Sequence, residues 1–237
     1  MLEGHIHQFL FGIYPYICLS VFLIGSLIRF DADQYGWRSG SSQLLRARQL
    51  WWGSNLFHVG ILVLFAGHFV GLLTPHAVYE TFMSAGTKQV VAIVTGGIAG
   101  IVCFAGLSLL LHRRLFDPRI RKTSSPMDIL LLVLLWLQLV LGLITMPYSL
   151  QHLDGSVMVA LSEWAQRIVT LRAGAADLVD GVAWPYQLHL VLGVTLFLIF
   201  PFRRLVHIWS APIWYVFRRY QVVRRRGGAL ASRRGVP

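Results

Sequence analysis

The sequence predicts an all-α integral membrane protein, a single bundle of five transmembrane helices. Three observations lead to this fold class. Of its 237 residues, 56% are apolar and only 13% are charged, which is about half the charged fraction of an average soluble domain. The mean hydropathy is +0.62. The apolar residues also form continuous blocks of roughly 20 residues, the length at which a helix crosses a bilayer.

Five blocks are long enough, and they do not alternate in the way that barrel strands do. The predicted spans are residues 9–30, 55–73, 89–111, 127–149 and 185–209. They define one membrane domain over residues 1–224. The remaining residues, 225–237, form an arginine-rich tail that we expect to be disordered.

The basic residues indicate how the bundle is oriented. A net charge of +11 would suit a nucleic-acid-binding protein, but the distribution of the 21 Lys and Arg residues argues against one. All except Lys88, Arg167 and Arg172 fall on the same side of the predicted spans. Positive residues remain cytoplasmic, so the N-terminus is expected outside and the C-terminus in the cytoplasm. We expect the protein in the lipid bilayer of a bacterial or archaeal cytoplasmic (inner) membrane, with no nucleic-acid partner.

The two cysteines, Cys18 and Cys103, both fall inside predicted spans. They are expected to be core residues rather than a disulfide. Two thiols alone cannot hold an iron–sulfur cluster.

Four of the nine histidines lie within the predicted spans: His58 and His68 in the second, His189 and His207 in the fifth. Ionisable residues inside a membrane are costly and indicate function. A single histidine could simply be neutral and hydrogen-bonded to a neighbouring helix, but two on each of two helices favour a ligand set. Antiparallel spans pair His68 with His189 near the outer side and His58 with His207 near the inner side. Paired histidines from two helices predict bis-histidine haem ligation, and therefore two haems b.

The two histidines of the second span are separated by a different distance from the two of the fifth span. Ten residues of helix rise about 15 Å and eighteen rise about 27 Å. The mismatch requires a tilt, a kink, or rings that are not parallel to the membrane plane. Pro201, between His189 and His207, could supply a kink. Gly71 and Gly193 lie near the outer histidines. They could admit a porphyrin or could serve ordinary helix packing.

Several motifs resemble one family, the gamma subunit of membrane-bound respiratory nitrate reductase, a di-haem cytochrome b. They are "FGIYPYI", "SNLFHVGIL", "GHFVGLLTPH", "QHLDGSVM" and "LHLVLGVTLFLIFPFRRLVHIWSAP". The resemblance covers about residues 8–224. It implies that the chain oxidises quinol, menaquinol or ubiquinol, near the outer face. Electrons would then pass through two haems to an iron–sulfur beta subunit and a molybdenum catalytic alpha subunit in the cytoplasm.

Carried over residue by residue, the resemblance implies His68 and His189 as ligands of the distal haem and His58 and His207 as ligands of the proximal haem. It implies Gly67 and Lys88 for the quinol pocket. We expect the basic residues from Arg218 onward to contact the iron–sulfur subunit. His76, His112 and His152 are given no ligand role.

Three side chains keep two interpretations each. Lys88, the only Lys or Arg of residues 74–88, could hydrogen-bond a quinol oxygen or a haem propionate, or could be an interfacial lysine that reaches toward water. Arg203, one turn before His207, could pair with a propionate or act as a cytoplasmic anchor. Asp154 could accept a quinol proton or shape a turn.

Two alternatives for the whole chain stay open. The same di-haem subunit could serve a different respiratory oxidoreductase, since the partner is not encoded in this chain. A transporter or a cofactor-free membrane anchor is the alternative from another class, and it would show no haem spectrum.

Overall fold

The computed structural model describes residues 2–32 and 47–209, and within these it is helical without any strand. Five helical segments are long and apolar enough to cross a membrane, which confirms the predicted fold class. They are Glu3–Ala32, Ala47–Leu73, Ala85–Phe116, Pro126–Leu150 and Trp184–Phe202. The predicted tail, residues 225–237, and Arg218 lie outside the described residues.

Nine α-helices make up the described part of the chain. In order they are α1 (Leu2–Gln8), α2 (Tyr14–Ala32), α3 (Ala47–Leu73), α4 (His76–Tyr79), α5 (Ala85–Phe116), α6 (Pro118–Lys122), α7 (Pro126–Leu150), α8 (Ser156–Val169) and α9 (Trp184–Ile199). A π-helical turn, Phe9–Ile13, joins α1 to α2, so the two form one span. We refer to the bundle end that carries α4 and α8 as the α8 end, and to the opposite end, which carries α6, as the basic end.

Side-chain caps mark the starts of three helices, α5, α6 and α7. The Ser84 hydroxyl accepts a hydrogen bond from the Thr87 amide (3.2 Å) at the start of α5. The Ser125 hydroxyl accepts one from the Asp128 amide (3.1 Å) at the start of α7. The Asp117 carboxylate does the same for α6. Each cap satisfies an amide that has no partner within its own helix.

The spans form an open row rather than a closed ring. Helix α3 packs along α5, α5 along α7, α7 along α9, and α9 along α2. Helix α8 lies against α3 and α5, and it covers a core cluster that includes Phe11, Trp164 and Val179. Helices α3 and α9, which carry three of the four candidate histidines, are not among the pairs that pack along each other. A gap between these two helices therefore separates the histidine-bearing faces.

Helix α3 meets α5 at backbone contact through small residues. A Cβ atom on Gly60 would lie 2.6 Å from the Cβ atom of Cys103, and one on Gly106 would meet the backbone nitrogen of Phe57. The Cys103 thiol donates to the Phe57 carbonyl (3.8 Å). Cys18 and Cys103 are both buried and free, as expected from the sequence. Such small-residue crossings let membrane helices approach closely.

The fifth span, expected over 185–209 with a possible kink at Pro201, is not α-helical to its end. Helix α9 ends at Ile199 and gives way to two 3₁₀ turns, Phe200–Phe202 and Arg204–Ile208, separated by an extended residue, Arg203. Pro201 cannot donate a backbone hydrogen bond. His207 therefore lies beyond α9, and the position of its side chain is not set by the helical repeat that starts at His189.

Helix α2 holds this break in place. The Arg29 guanidinium donates to the carbonyls of Pro201 (2.6 Å) and Arg203 (3.2 Å). A Cβ atom on Gly25 would lie only 2.9 Å from Pro201 Cγ. The position of the segment that carries His207 thus depends on α2 rather than on the continuation of α9.

We predict that Gly106→Ala lowers the melting temperature of the purified protein by several degrees. The added methyl group meets the α3 backbone, and overpacking of this kind costs about 1–3 kcal/mol. Gly97→Ala is the matched control on the same helix, because nothing lies within 4 Å of its Cβ position. Alanine is favoured there over glycine by about 0.5–1 kcal/mol. Equal melting temperatures for the two variants would contradict the tight α3–α5 crossing.

Candidate functional site

His68 on α3 and His189 on α9 face each other near the α8 end. Their ring centroids lie 6.1 Å apart and their ring planes are inclined by 38°. His68 Nδ1 lies 2.7 Å from the carbonyl oxygen of Leu64, one turn earlier on α3. With the proton on Nδ1, the imidazole donates to that carbonyl, and its Nε2 lone pair is left for another partner.

Helix α7 fixes the ring of His189. The His189 Nδ1 atom lies 3.1 Å from the Gln138 carbonyl oxygen. The Gln138 side-chain amide donates to the His189 carbonyl (3.1 Å), and its nitrogen lies 3.3 Å from His189 Nε2. A Cβ atom on Gly142 would approach His189 Cε1 to 3.0 Å. The ring therefore lies against the α7 backbone on one side and faces His68 on the other.

The glycines around this pair differ in their surroundings. A Cβ atom on Gly193 would lie 3.1 Å from the Gln138 amide nitrogen, so the Gln138 side chain already occupies the space beside Gly193. Nothing lies within 4 Å of the corresponding positions of Gly67 and Gly71. The open space therefore adjoins His68 on α3 rather than α9.

His58 and His207 lie nearer the basic end. His58 Nδ1 is 2.7 Å from the Ser54 carbonyl oxygen and 3.2 Å from the Ser54 hydroxyl, which leaves its Nε2 atom available in the same way as that of His68. His207 lies in the turn Arg204–Ile208 and is half-buried. The ring of His58 meets that of Phe57 edge-on, with the ring centroids 5.2 Å apart.

Lys88 lies in the first turn of α5 and is buried, with 9% of its surface exposed. Its Nζ atom lies 3.8 Å from the centroid of the Tyr79 ring. Among the described residues it has no hydrogen-bond acceptor. A lysine that reached for water at the interface would expose this atom, so its burial speaks against that interpretation.

Asp154 has a turn role in the structure. Its Oδ1 atom accepts from the hydroxyl (3.0 Å) and the amide (3.4 Å) of Ser156 at the start of α8. These hydrogen bonds, the side-chain one first, lower the pKa of the Asp154 carboxyl. A carboxylate with a lowered pKa is a poorer proton acceptor, which favours the structural interpretation.

Arg203 contributes its backbone to the site region. Its carbonyl accepts from Arg29, and its side chain is half-buried. Among the described residues, no three His, Cys, Asp or Glu side chains converge as a metal-ion site. The histidine pairs are therefore the arrangement to consider for iron.

Three residues of the site were not identified from the sequence: Gln138, Gly142 and Tyr79. Gln138 carried a usable signal, because it is the only polar residue in the run "ILLLVLLWLQLVLGLI", and polar residues inside membranes tend to be functional. Gly142 and Tyr79 carried none, since their roles depend on contacts with distant parts of the chain.

Comparisons with known proteins cover nearly the whole chain. A family model described as "Nitrate reductase gamma subunit" matches residues 7–226. The chain is 54% identical to the respiratory nitrate reductase 1 gamma chain of Escherichia coli (strain K12), over 93% of this chain and 98% of that protein. It is 40% identical to the nitrate reductase gamma chain of Bacillus subtilis (strain 168), over 92% of this chain and 98% of that protein. The chain therefore belongs to the nitrate reductase gamma subunit family, membrane cytochrome b subunits of respiratory nitrate reductases.

Proposed function

We propose that this chain oxidises quinol at the α8 end and delivers the electrons at the basic end to an iron–sulfur subunit. Nitrate itself would be reduced in a separate molybdenum-containing subunit in the cytoplasm. The facing pair His68 and His189 is the observation that carries the proposal. It is a two-histidine arrangement between different helices, inside an apolar bundle, and within residues 2–32 and 47–209 no third His, Cys, Asp or Glu completes a metal-ion site with it.

The residues present fit a haem at this pair. Two imidazoles bound to one metal, each through a nitrogen at about 2 Å, place their ring centres roughly 6 Å apart. The observed separation is 6.1 Å. The Nδ1 atoms of His68 and His189 both lie within hydrogen-bond distance of backbone carbonyl oxygens. Hydrogen bonds of this kind orient ligand rings and raise their basicity. The Gln138 amide, beside His189 Nε2, can keep its bond to the His189 carbonyl when iron takes that nitrogen.

His58 and His207 are proposed to hold a second haem nearer the basic end. The hydrogen bond of His58 to Ser54 prepares its Nε2 atom as a ligand. Haem b, when bound at the two pairs, supplies one-electron carriers that connect the two ends of the bundle. Arg203 is placed in the same segment as His207 and is proposed as a propionate partner.

The orientation follows from the charges. The basic end carries α6 with Arg119, Arg121 and Lys122, and basic residues remain cytoplasmic. The α8 end would then face outward in a bacterial cytoplasmic membrane. Quinol oxidised near His68, Gly67 and Lys88 would release its protons outside, while its electrons move inward. This separation of charge would contribute to the proton-motive force without a proton channel in the chain.

We predict that His68→Ala and His189→Ala remove the same haem, and that His58→Ala and His207→Ala remove the other. Each variant removes one of the two histidines that would hold one iron. Reduced-minus-oxidised spectra and redox titration of the membrane fraction measure the haem that remains. His76→Ala is the control, because that ring pairs with Glu80 (3.1 Å) and is given no ligand role. The same residual haem in His68→Ala and His207→Ala would refute the pairing.

Lys88→Ala should reduce quinol oxidation by at least tenfold while both haems stay in place. The variant removes the buried ammonium that would donate a hydrogen bond to a quinol oxygen. The loss is expected to be large because hydrogen bonds to charged groups contribute about 1.5–3 kcal/mol. The measurement is quinol-dependent haem reduction in assembled membranes. Lys122→Ala, which changes the chain's other lysine, exposed on α6, is the control. Normal reduction rates in Lys88→Ala would exclude this site.

Gln138→Leu should keep both haems but lower the midpoint potential of the one held by His68 and His189. The variant removes the N–H dipole of the Gln138 amide. Because the positive end of this dipole favours the reduced state of the haem, its loss lowers the midpoint potential. One hydrogen bond corresponds to a shift on the order of tens of millivolts for a one-electron couple. Low-spin ferric EPR would report any change in the angle between the two imidazoles. Gln151→Leu, an exposed glutamine just beyond the same helix, should leave the potential unchanged, and an equal shift in both variants would argue against a specific role of Gln138.

A further inference from the structure

The ammonium group of Lys88 lacks a partner that its burial requires. Its Nζ atom is buried and, among the described residues, has no hydrogen-bond acceptor. The neighbouring carboxylate, Glu80, is paired with His76 at 3.1 Å. A buried polar or charged group without hydrogen bonds costs free energy. The site is therefore short of one acceptor, and a ligand that brings an oxygen would supply it.

The ring of Tyr79 is the group that Lys88 does contact. The Nζ atom lies 3.8 Å from the ring centroid, and Tyr79 is only 3% exposed. Burial, and then the charge of Glu80, raise the pKa of the Tyr79 phenol, so the ring is neutral. The contact is thus a cation–π interaction, which attracts the cation without accepting its hydrogen bonds. All three N–H donors remain free for a ligand.

The backbones that present these two side chains are fixed. Ser84 caps α5, and the Gln89 amide donates to the carbonyls of Ser149 and His152, both at 2.9 Å. The carbonyl of Tyr79 accepts from the Met83 amide at 2.9 Å. The backbones of Lys88 and Tyr79 are therefore held by hydrogen bonds other than the contact between their side chains.

We infer that Tyr79 is the positioning residue of Lys88. Its ring holds the ammonium inside the bundle, desolvated and with its donors unused, so that a ligand oxygen can accept a hydrogen bond while the ring contact is kept. The inference rests on the proposed function, because it names the group that prepares the proposed quinol site. Two sources could provide the oxygen: the hydroxyl group of a quinol, or the propionate of a haem held by His68 and His189. Both are oxygen acceptors, and the experiment below distinguishes them.

The test compares Tyr79→Phe with Tyr79→Leu in membranes that contain the assembled complex. Phenylalanine keeps the ring, whereas leucine removes it and keeps an apolar side chain. Tyr79→Leu should raise KM for a quinol analogue about tenfold, the effect expected for a desolvated cation–π contact, with a smaller change in kcat. Tyr79→Phe should stay within about twofold of the unmodified protein, since no hydrogen bond of the Tyr79 hydroxyl is present in the described structure. Tyr79→Met replaces the leucine variant if that protein proves unstable.

A double-mutant cycle with Lys88→Ala separates positioning from simple packing. If Tyr79 acts through Lys88, Tyr79→Leu has no further effect on KM in the Lys88→Ala background, because coupled residues are not additive. Midpoint potentials, measured without quinol, identify the source of the oxygen. A shift of the haem held by His68 and His189 in both Tyr79→Leu and Lys88→Ala indicates the propionate. A raised KM with unchanged potentials indicates the quinol hydroxyl.

Two outcomes would overturn the inference alone. In the first, Tyr79→Leu and Tyr79→Phe have the same KM and the same midpoint potentials, while Lys88→Ala is impaired. In the second, the effects of Tyr79→Leu and Lys88→Ala on KM are fully additive. A different result would reject the proposed quinol site itself. If Lys88→Ala behaves as the unmodified protein in both measurements, that site and the inference fail together, although the haem assignment to the histidine pairs would stand.

Discussion

The close contact of α3 with α5 is the constraint on which the rest of the arrangement depends. Helix α3 carries His58 and His68, yet it is the least buried of the five spans. What fixes it is one face on which Gly60 meets Cys103 and Gly106 meets the α3 backbone. In a bilayer, lipid competes for apolar surface as well as another helix does, so association rests on close packing. Because that contact takes place on one face, the other face of α3 is left to the histidines.

The two histidines of the facing pair are oriented by different helices. His68 uses a carbonyl of its own helix, one turn back, whereas His189 uses a carbonyl of α7. The ring of His68 thus follows α3, and the ring of His189 follows the packing of α7 against α9. Gly142 and Gly193 make this possible, because a methyl group at either position would crowd the His189 ring or the Gln138 amide. A small residue at each helix contact is therefore as much a requirement of the site as the histidines.

The sequence predicts the spans well because span length is a property of local composition. The second span illustrates the limit: the apolar run begins at 55, but α3 already includes Arg48 and Gln49, because a helix can continue where hydropathy falls. The end of the fifth span was wrong for another reason. A proline within an apolar run can kink a helix or end it, and here the outcome depends on Arg29 and Gly25 of α2, far away in sequence. Topology alone predicted that His68 and His189 lie together, but the parts played by Gln138 and Tyr79 depend on side-chain contacts between elements.

The exposure of α3 also bears on how an apolar substrate could reach the proposed site. Phe65 and Phe69, which flank the Gly67–His68 pair, are both at least 60% exposed, and this face of the helix would lie in lipid. A quinol dissolved in the bilayer would need only to move sideways, because no other described helix packs over this face. The buried ammonium of Lys88 lies near the same end, held by a ring rather than by a carboxylate. A carboxylate would compete with a neutral quinol oxygen for that donor, whereas an aromatic ring holds the cation without accepting its N–H hydrogen bonds. The same open row of helices that leaves a gap between α3 and α9 would thus provide lipid access, and a closed five-helix ring would have removed it.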